Sequence, residues 1–349
     1  MTVGRIAVKL KTDMPSKSTG PLLTGAIARR SFLGAAGAMV PGLPAWAQRR
    51  AGPPPHERGP AVFLEYDQVE LDAAYDQAVY APNEDQISRR WRANSDLARA
   101  RLGASKRVRY GPSEIEQMDI YPAKRRKAPI HMFVHGGAWR GGSARASAFP
   151  AELFVAAGAH HVVPDFIAVQ DAGGSLAAMV TQVRRAIAWV YHNANSFGGD
   201  ASRLYISAHS SGAHLAAVVL TTPSSGDREL PGGAIKGALL VSGMYDLKGP
   251  RLSSRASYVK FDDAIEEALS PQRHLDRLRT PVIVAYAALD TPEFQRQSRD
   301  FAAALRLAGK PVDLIFGADY NHFEFIETLA NPYGVLGRAA LIQMGLHHA

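Results

Sequence analysis

The 349-residue sequence contains no cysteine. Disulfides, a thiol nucleophile and every cysteine-based zinc site are thereby excluded. Long apolar runs are absent as well. The N-terminal stretch Phe32 to Leu43 is about half of the roughly 20 residues that a membrane-spanning helix needs, and glycine and proline interrupt it, so no integral membrane span is expected. No GxGxxG, Walker or EF-hand pattern occurs, so no cofactor is expected. An excess of one charge is nearly missing from most of the chain. The net charge is +8, but residues 1–47 hold six Lys or Arg against one acid, leaving 34 basic and 31 acidic residues in the remainder. That balance gives no reason to expect a nucleic-acid partner. Apolar residues, by contrast, make up 46% of the chain, enough to bury one large core.

Arg29-Arg30 precede a mildly apolar Gly/Ala-rich stretch and then Ala45-Trp46-Ala47, which suits an A-x-A cleavage site. Residues 1–47 thus resemble a twin-arginine export signal, and the expected location is periplasmic or secreted. Met14 is a second candidate start. Residues 48–60, containing RRAGPPPHERGP, read as a linker. A single domain is expected over 61–349. Its first part, 61–105, is helix-like, with apolar residues at Leu71, Tyr75 and Val79 and again at Ile87, Trp91 and Leu97. Such helices ahead of the first convincing strand predict a flap over a later site, and an exposed flap helix would offer a homodimer surface.

Strand-like and helix-like segments then alternate. The predicted strands are Met118–Tyr121, Ile130–Val134, His161–Phe166, Leu204–Ala208, Ile235–Ser242, Val282–Ala287 and Val312–Phe316. Helical patterns cover Phe149–Ala157, Leu176–His192, Ala213–Thr221, Pro292–Ala308 and Leu336–Met344. Short β-branched runs separated by helices predict an α/β fold, a mainly parallel sheet covered on both faces. Ligands of such sheets bind at the carboxyl ends of the strands.

The run Leu204 to Ala208 leads into His209-Ser210-Ser211-Gly212, and a helical pattern starts at once. A nucleophile on a sharp strand-to-helix turn needs small residues two before and two after it, because those backbones pass close. Ser210 meets this with Ala208 and Gly212; Ser211 would place His209 at a small position. Ser211 is instead assigned a backbone role, its N–H lying at a helix N-terminus where an oxyanion can be stabilised. The glycines of His135-Gly136-Gly137-Ala138-Trp139, after an earlier strand, can turn further N–H groups towards a carbonyl oxygen. His135 is expected to brace that loop.

A serine nucleophile needs a base, and the base a carboxylate. Asp290 and His322 each follow a predicted strand, so both fall at the carboxyl edge. Asp290 could instead cap the helix after Pro292, His322 could be a loop histidine, and Asp246 is a second candidate acid. His209 and His214 are too near Ser210 in the chain to serve as its base and are expected to pack. His160-His161 lies at a strand start without a metal-ligand spacing, so no metal is expected.

With these pieces assembled, the chain from about Phe63 onward resembles the α/β-hydrolase superfamily, and within it the kynurenine formamidase and carboxylesterase branch. The motifs that carry the resemblance are HGGAW (135–139), AHSSGAH (208–214), SGMYDL (242–247), LDTPEFQRQSRDF (289–301) and NHFEFIE (321–327). The resemblance implies an α/β-hydrolase fold, a triad of Ser210, Asp290 and His322, and an oxyanion hole of Gly137, Ala138 and Ser211. It also implies a small ester or amide substrate. Ala138 stands where formamidases often carry a tyrosine, which would leave more room near the scissile group. Formylkynurenine hydrolysis is moreover cytosolic, at odds with an export signal. The expectation is therefore a carboxylesterase, with an arylformamidase and a catalytically silent binding protein as alternatives.

Overall fold

The computed structural model describes residues 52–222 and 230–347. The expected signal segment lies outside the described residues, as does the linker up to residue 51. From residue 52 to 60 the linker has no helix or strand. It is nevertheless pinned to Asp67, whose carboxylate bonds His56 Nε2 at 2.9 Å and the Gly59 N–H at 2.8 Å.

The strands are β1 (Lys106–Arg109), β2 (Gln117–Tyr121), β3 (Ala128–Val134), β4 (His160–Pro164), β5 (Gly199–His209), β6 (Ile235–Val241), β7 (Val282–Leu289) and β8 (Val312–Asn321). They form one sheet in the order β1-β2-β4-β3-β5-β6-β7-β8. From β4 across to β8 every neighbour is parallel, and β1 and β2 close one edge in antiparallel pairing. This is the α/β-hydrolase fold.

The helices are α1 (Gln68–Ala74), α2 (Gln77–Tyr80), α3 (Glu84–Leu102), α4 (Ala151–Ala156), α5 (Leu176–Asn193), α6 (Ser211–Thr221), α7 (Lys248–Leu252), α8 (Asp263–Ala268), α9 (Pro292–Leu307), α10 (His322–Glu327) and α11 (Val335–Gln343). Successive strand residues point to opposite faces. Met132, Val134, Ile206, Leu240 and Val284 therefore share one core with α5, α6 and α9. Phe133, Val163, Leu239, Val241 and Ile283 face the other, with α4 and α11. Burial on both faces is why these strands read as continuous apolar runs.

Some elements have no counterpart in the predicted ones. β1 has the sequence KRVR and sits on the edge with three exposed residues, so it has no buried alternation to read. α7 and α8 are five and six residues long, and α8 buries nothing; neither carries an apolar stripe. β8 runs five residues past Phe316, and α10 starts directly at His322.

The second core contains a cluster of buried histidines. His131 and His161 share a hydrogen bond between their Nδ1 atoms at 3.0 Å, and His131 Nε2 bonds Ser207 Oγ at 2.7 Å. One ring must donate and the other accept, so the accepting ring is neutral and the two cannot both be charged. Burial pushes the His161 ring down to about 3 and His131 well below the ordinary histidine value. Unfolded, both would bind protons near pH 6.5; folded, they cannot. Their contribution is thus complete above pH 6.5 and is lost as pH falls from there towards the folded values, at up to about 1.4 kcal/mol per pH unit for each ring. Urea midpoints should fall steadily between pH 6.5 and 5, where few carboxylates titrate, and His161→Phe should flatten that slope. A midpoint independent of pH across this window would contradict the account.

Candidate active site

At the end of β5 the chain turns directly into α6, and Ser210 sits on the turn with φ 55° and ψ −126°. A non-glycine residue in the left-handed region is held there by its surroundings. The Ser210 N–H donates to the Val241 carbonyl at 2.8 Å, and the Ser210 carbonyl accepts from His214 N at 3.2 Å. A Cβ on Gly212 would lie 2.3 Å from the His135 carbonyl oxygen and 2.4 Å from that of Val134. This close approach explains why only glycine fits two residues past the serine, whereas Ala208, fully buried two residues before it, is tolerated.

The loop after β3 crosses the same point. A Cβ on Gly136 would come within 2.9 Å of the His209 carbonyl oxygen and of Ser210 Cβ. Gly137, Ala138 and Trp139 then have φ of 124°, 54° and 63°. Two consecutive non-glycine residues with positive φ need restraint. The Trp139 N–H donates to Ser211 Oγ at 3.1 Å, its indole N–H donates to His214 Nδ1 at 3.2 Å, and its carbonyl accepts from Val169 N at 2.8 Å. His214 in turn donates from Nε2 to the Leu269 carbonyl at 2.9 Å. That bond fixes its tautomer, and burial lowers its pKa to about 4. The N–H groups of Gly137, Ala138 and Ser211 have no acceptor among the described residues.

His322 opens α10, where Asn321 forms a capping box with Glu324. Its Nδ1–H donates to Asp290 Oδ1 at 2.7 Å. The other carboxylate oxygen accepts from Ser242 Oγ at 2.7 Å and from the Ala287 N–H at 2.8 Å. Asp290 is thus oriented by three donors and does not cap the helix after Pro292; that helix has Thr291 as its N-cap. Asp246 instead accepts from the Lys248 N–H at 2.8 Å and Arg273 Nη2 at 3.3 Å. His209, whose pKa burial depresses well below the ordinary value, donates from Nε2 to the His322 carbonyl at 3.1 Å. His135 Nδ1 bonds the Gly136 carbonyl at 3.0 Å, and its ring stacks on Phe166 at 4.4 Å.

Ser210, His322, Gly137 and Ala138 all line a cavity of about 630 Å³. Its roof comes from α2 and α3, including Gln77, Glu84 and Trp91. Trp91 stacks on Phe149 and meets the His209 ring edge-on, both at 5.9 Å. Asn83, just ahead of α3, donates to Glu324 and accepts from Asn321, each at 2.7 Å. The flap is thereby fastened to the turn that presents His322. A second fastening runs through α9: Tyr75 donates its hydroxyl to buried Glu293 and accepts from Gln297 Nε2, both at 2.8 Å.

No local pattern in the sequence places Ser242, Trp139, His214 and Gln297 at these positions. Ser242 and Gln297 lie within quoted motifs, but their partners are 48 and 222 residues distant, so spacing alone carries no trace of the contact.

The BD-FAE family profile matches residues 118–236 of the chain. A kynurenine formamidase from Danio rerio is 35% identical over 246 residues, covering 68% of this chain and 81% of that protein. The chain belongs to the formamidase/esterase branch of the α/β-hydrolases. Esterase LipQ of Mycobacterium tuberculosis is 32% identical to this hydrolase over 58% of the chain and 52% of its own. Among solved structures, esterase LipW from Mycobacterium marinum aligns with a TM-score of 0.59 at 19% identity, covering 78% of this chain and 90% of that one. The Est2 esterase of Thermogutta terrifontis aligns at 0.57 and 22% identity, over 70% and 94%. Those two likenesses speak to the fold of the hydrolase.

The crowding at the turn has a measurable consequence. Gly212→Ala forces a methyl into two carbonyl oxygens and should destabilise the hydrolase by about 1–3 kcal/mol or more, lowering Tm by several degrees. Gly141→Ala, where an added Cβ meets nothing within 4 Å, should leave Tm within about a degree or two. Calorimetry showing equal Tm for the two variants would refute the close-approach account.

Proposed function

We propose that the protein is a cofactor-independent serine hydrolase of carboxylic esters in which Ser210 is the nucleophile, His322 the base and Asp290 its orienting acid. The observation that carries this reading is the His322–Asp290 hydrogen bond at 2.7 Å on the wall of the cavity that also holds the Ser210 turn. Commitment of Nδ1–H to Asp290 leaves Nε2 as the nitrogen that can take a proton. His322 Nε2 removes the proton from Ser210 Oγ as that oxygen attacks the substrate carbonyl. Asp290, held by Ser242 and the Ala287 N–H, stabilises the resulting imidazolium. The carbonyl oxygen, now negative, accepts from the backbone N–H groups of Ser211, Gly137 and Ala138, the first of these at a helix N-terminus. The imidazolium then protonates the departing alcohol. Water enters, gives a proton to His322 Nε2 and attacks the acyl carbon; the imidazolium returns that proton to Ser210 Oγ as the acyl–oxygen bond breaks, and the acid leaves.

Ser211 serves this arrangement twice. Its hydroxyl accepts the Trp139 N–H at 3.1 Å, which removes that group from competition and leaves the Gly137 and Ala138 N–H groups to face the substrate oxygen.

Ser210→Ala should fold as the wild type does, with kcat lower by about 10⁴-fold or more. A fluorophosphonate probe should label the wild type at Ser210 and leave the variant unlabelled. Full esterase activity in the variant would end the proposal.

The 35% identity to the Danio rerio kynurenine formamidase favours a second reading, an arylformamidase with the same residues in the same roles. Comparing kcat/KM for N-formylkynurenine with that for simple aryl esters separates the two. The ester reading expects the esters to be turned over faster by about tenfold or more, and the reverse order would replace it.

A further inference from the structure

Arg255 follows α7 and lines the cavity, yet it is only 5% exposed. Arginines that are far more exposed than Arg255 nevertheless have acids. Arg107 reaches Asp119 and Asp165, Arg185 reaches Glu116, and Arg296 holds Glu293. Arg255 takes part in no ion pair among the described residues. Its Nη1 donates to the Tyr258 hydroxyl at 2.9 Å and its Nη2 to the Tyr75 carbonyl at 2.7 Å. Its buried Nε–H has no acceptor among the described residues. The guanidinium carbon lies 5.2 Å from the centre of the Trp139 ring and 5.9 Å from that of Phe294. The charge is therefore desolvated against aromatic faces, beside the loop that would bind the oxyanion, without a counter-charge among the described residues.

Two further donors of the lining are in the same state. Gln77 Nε2 and Trp91 Nε1 are buried donors that also lack a partner among the described residues, and both residues line the cavity. Arg140, an exposed residue, also lines it, its guanidinium 5.0 Å from the Tyr258 ring centre and outside every ion pair among the described residues. Two acids, Asp76 and Glu84, also line it, and neither pairs with Arg255 or Arg140. Buried donors left without acceptors are costly. A ligand rich in acceptors and carrying one negative charge would satisfy them, and the planar guanidinium fork matches a carboxylate.

We propose that Arg255 binds a carboxylate carried by the substrate away from the scissile carbonyl, so that the preferred substrates are anionic esters or amides. This rests on the serine-hydrolase reading above. Two matched pairs of esters test it. In the first, mono(4-nitrophenyl) adipate is compared with its neutral carbamoyl counterpart; in the second, 3-carboxyphenyl acetate with 3-carbamoylphenyl acetate. In at least one pair the wild type should favour the carboxylate by about tenfold or more in kcat/KM, chiefly through KM, and Arg255→Gln should lower that ratio by about tenfold or more. Arg255→Lys, which keeps the charge without the fork, should retain part of the ratio. A wild type that treats both pairs equally, or prefers the neutral members, overturns the proposal whether or not the variants fold. An unchanged ratio in folded Arg255→Gln or, should that variant not fold, in Arg255→Lys does the same. Fluorophosphonate labelling distinguishes the two failures. A labelled wild type without charge preference loses only the arginine site, whereas one that is neither labelled nor active on any of the four esters loses the hydrolase reading as well.

Discussion

The close approach of backbones at Gly212 is the constraint on which the site depends. The carbonyls of Val134 and His135 occupy the space where a side chain at position 212 would be. The carboxyl end of β3 and the first turn of α6 therefore hold each other in register. Ser210 accepts a left-handed conformation, at a cost of about 1–3 kcal/mol, because both flanking elements are fixed. β5 is bonded to β3 on one side and β6 on the other, and α6 is buried along nearly its whole length. Once that turn is set, Gly136 must pass over it, and the unusual φ values of Ala138 and Trp139 follow from the path left open.

Around the turn, neutral histidines do the bracing. His209 bonds the backbone of His322, His214 joins Trp139 to Leu269, and His135 closes on its own loop. An imidazole offers one donor and one acceptor in a rigid plane, so each ring can tie two groups without placing a charge in the core. Burial keeps these rings neutral by the same effect that lowers their pKa. His322 differs from them in having a carboxylate, held by three donors, against its Nδ1. The cation it would form thus has a counter-charge that the bracing rings lack.

Much of this could be read from the sequence because it follows local rules. Small residues around Ser210, paired glycines after β3, and an acid and a histidine each following a strand are spacing patterns with steric or topological causes. Strand interiors were legible through their apolar runs, since both sheet faces are covered. β1 was not, because an edge strand of sequence KRVR has only Val108 partly buried and so no alternating pattern. The function of Gln297 was equally hidden. It accepts from the N–H groups of Tyr245 and Asp246 and donates to Tyr75, joining three segments that only the folded sheet brings together. The PEFQRQS stretch that supports the family resemblance owes much of its character to this tethering role, with Glu293 and Gln297 fastening the flap to α9.

Arg255 is the point where stability and function part company. Burying a guanidinium without an acid costs folding free energy, and the aromatic faces of Trp139, Tyr75 and Phe294 with two neutral oxygen acceptors offset only part of it. A well-packed apolar residue would serve the core better. What the arginine adds is preorganisation. Its desolvation and rotamer entropy are settled on folding, and its position is fixed by Tyr75 from the flap and Tyr258 from the wall. A substrate carboxylate arriving there would meet a donor that needs no further ordering, so that binding loses less to entropy than at a mobile surface arginine. Because the same guanidinium packs on Trp139, whose N–H is tied to Ser211, the anion site and the backbone donors around Ser210 form one rigid unit. Recognition of the charge would thereby place the scissile carbonyl against the nucleophile without a separate closing motion.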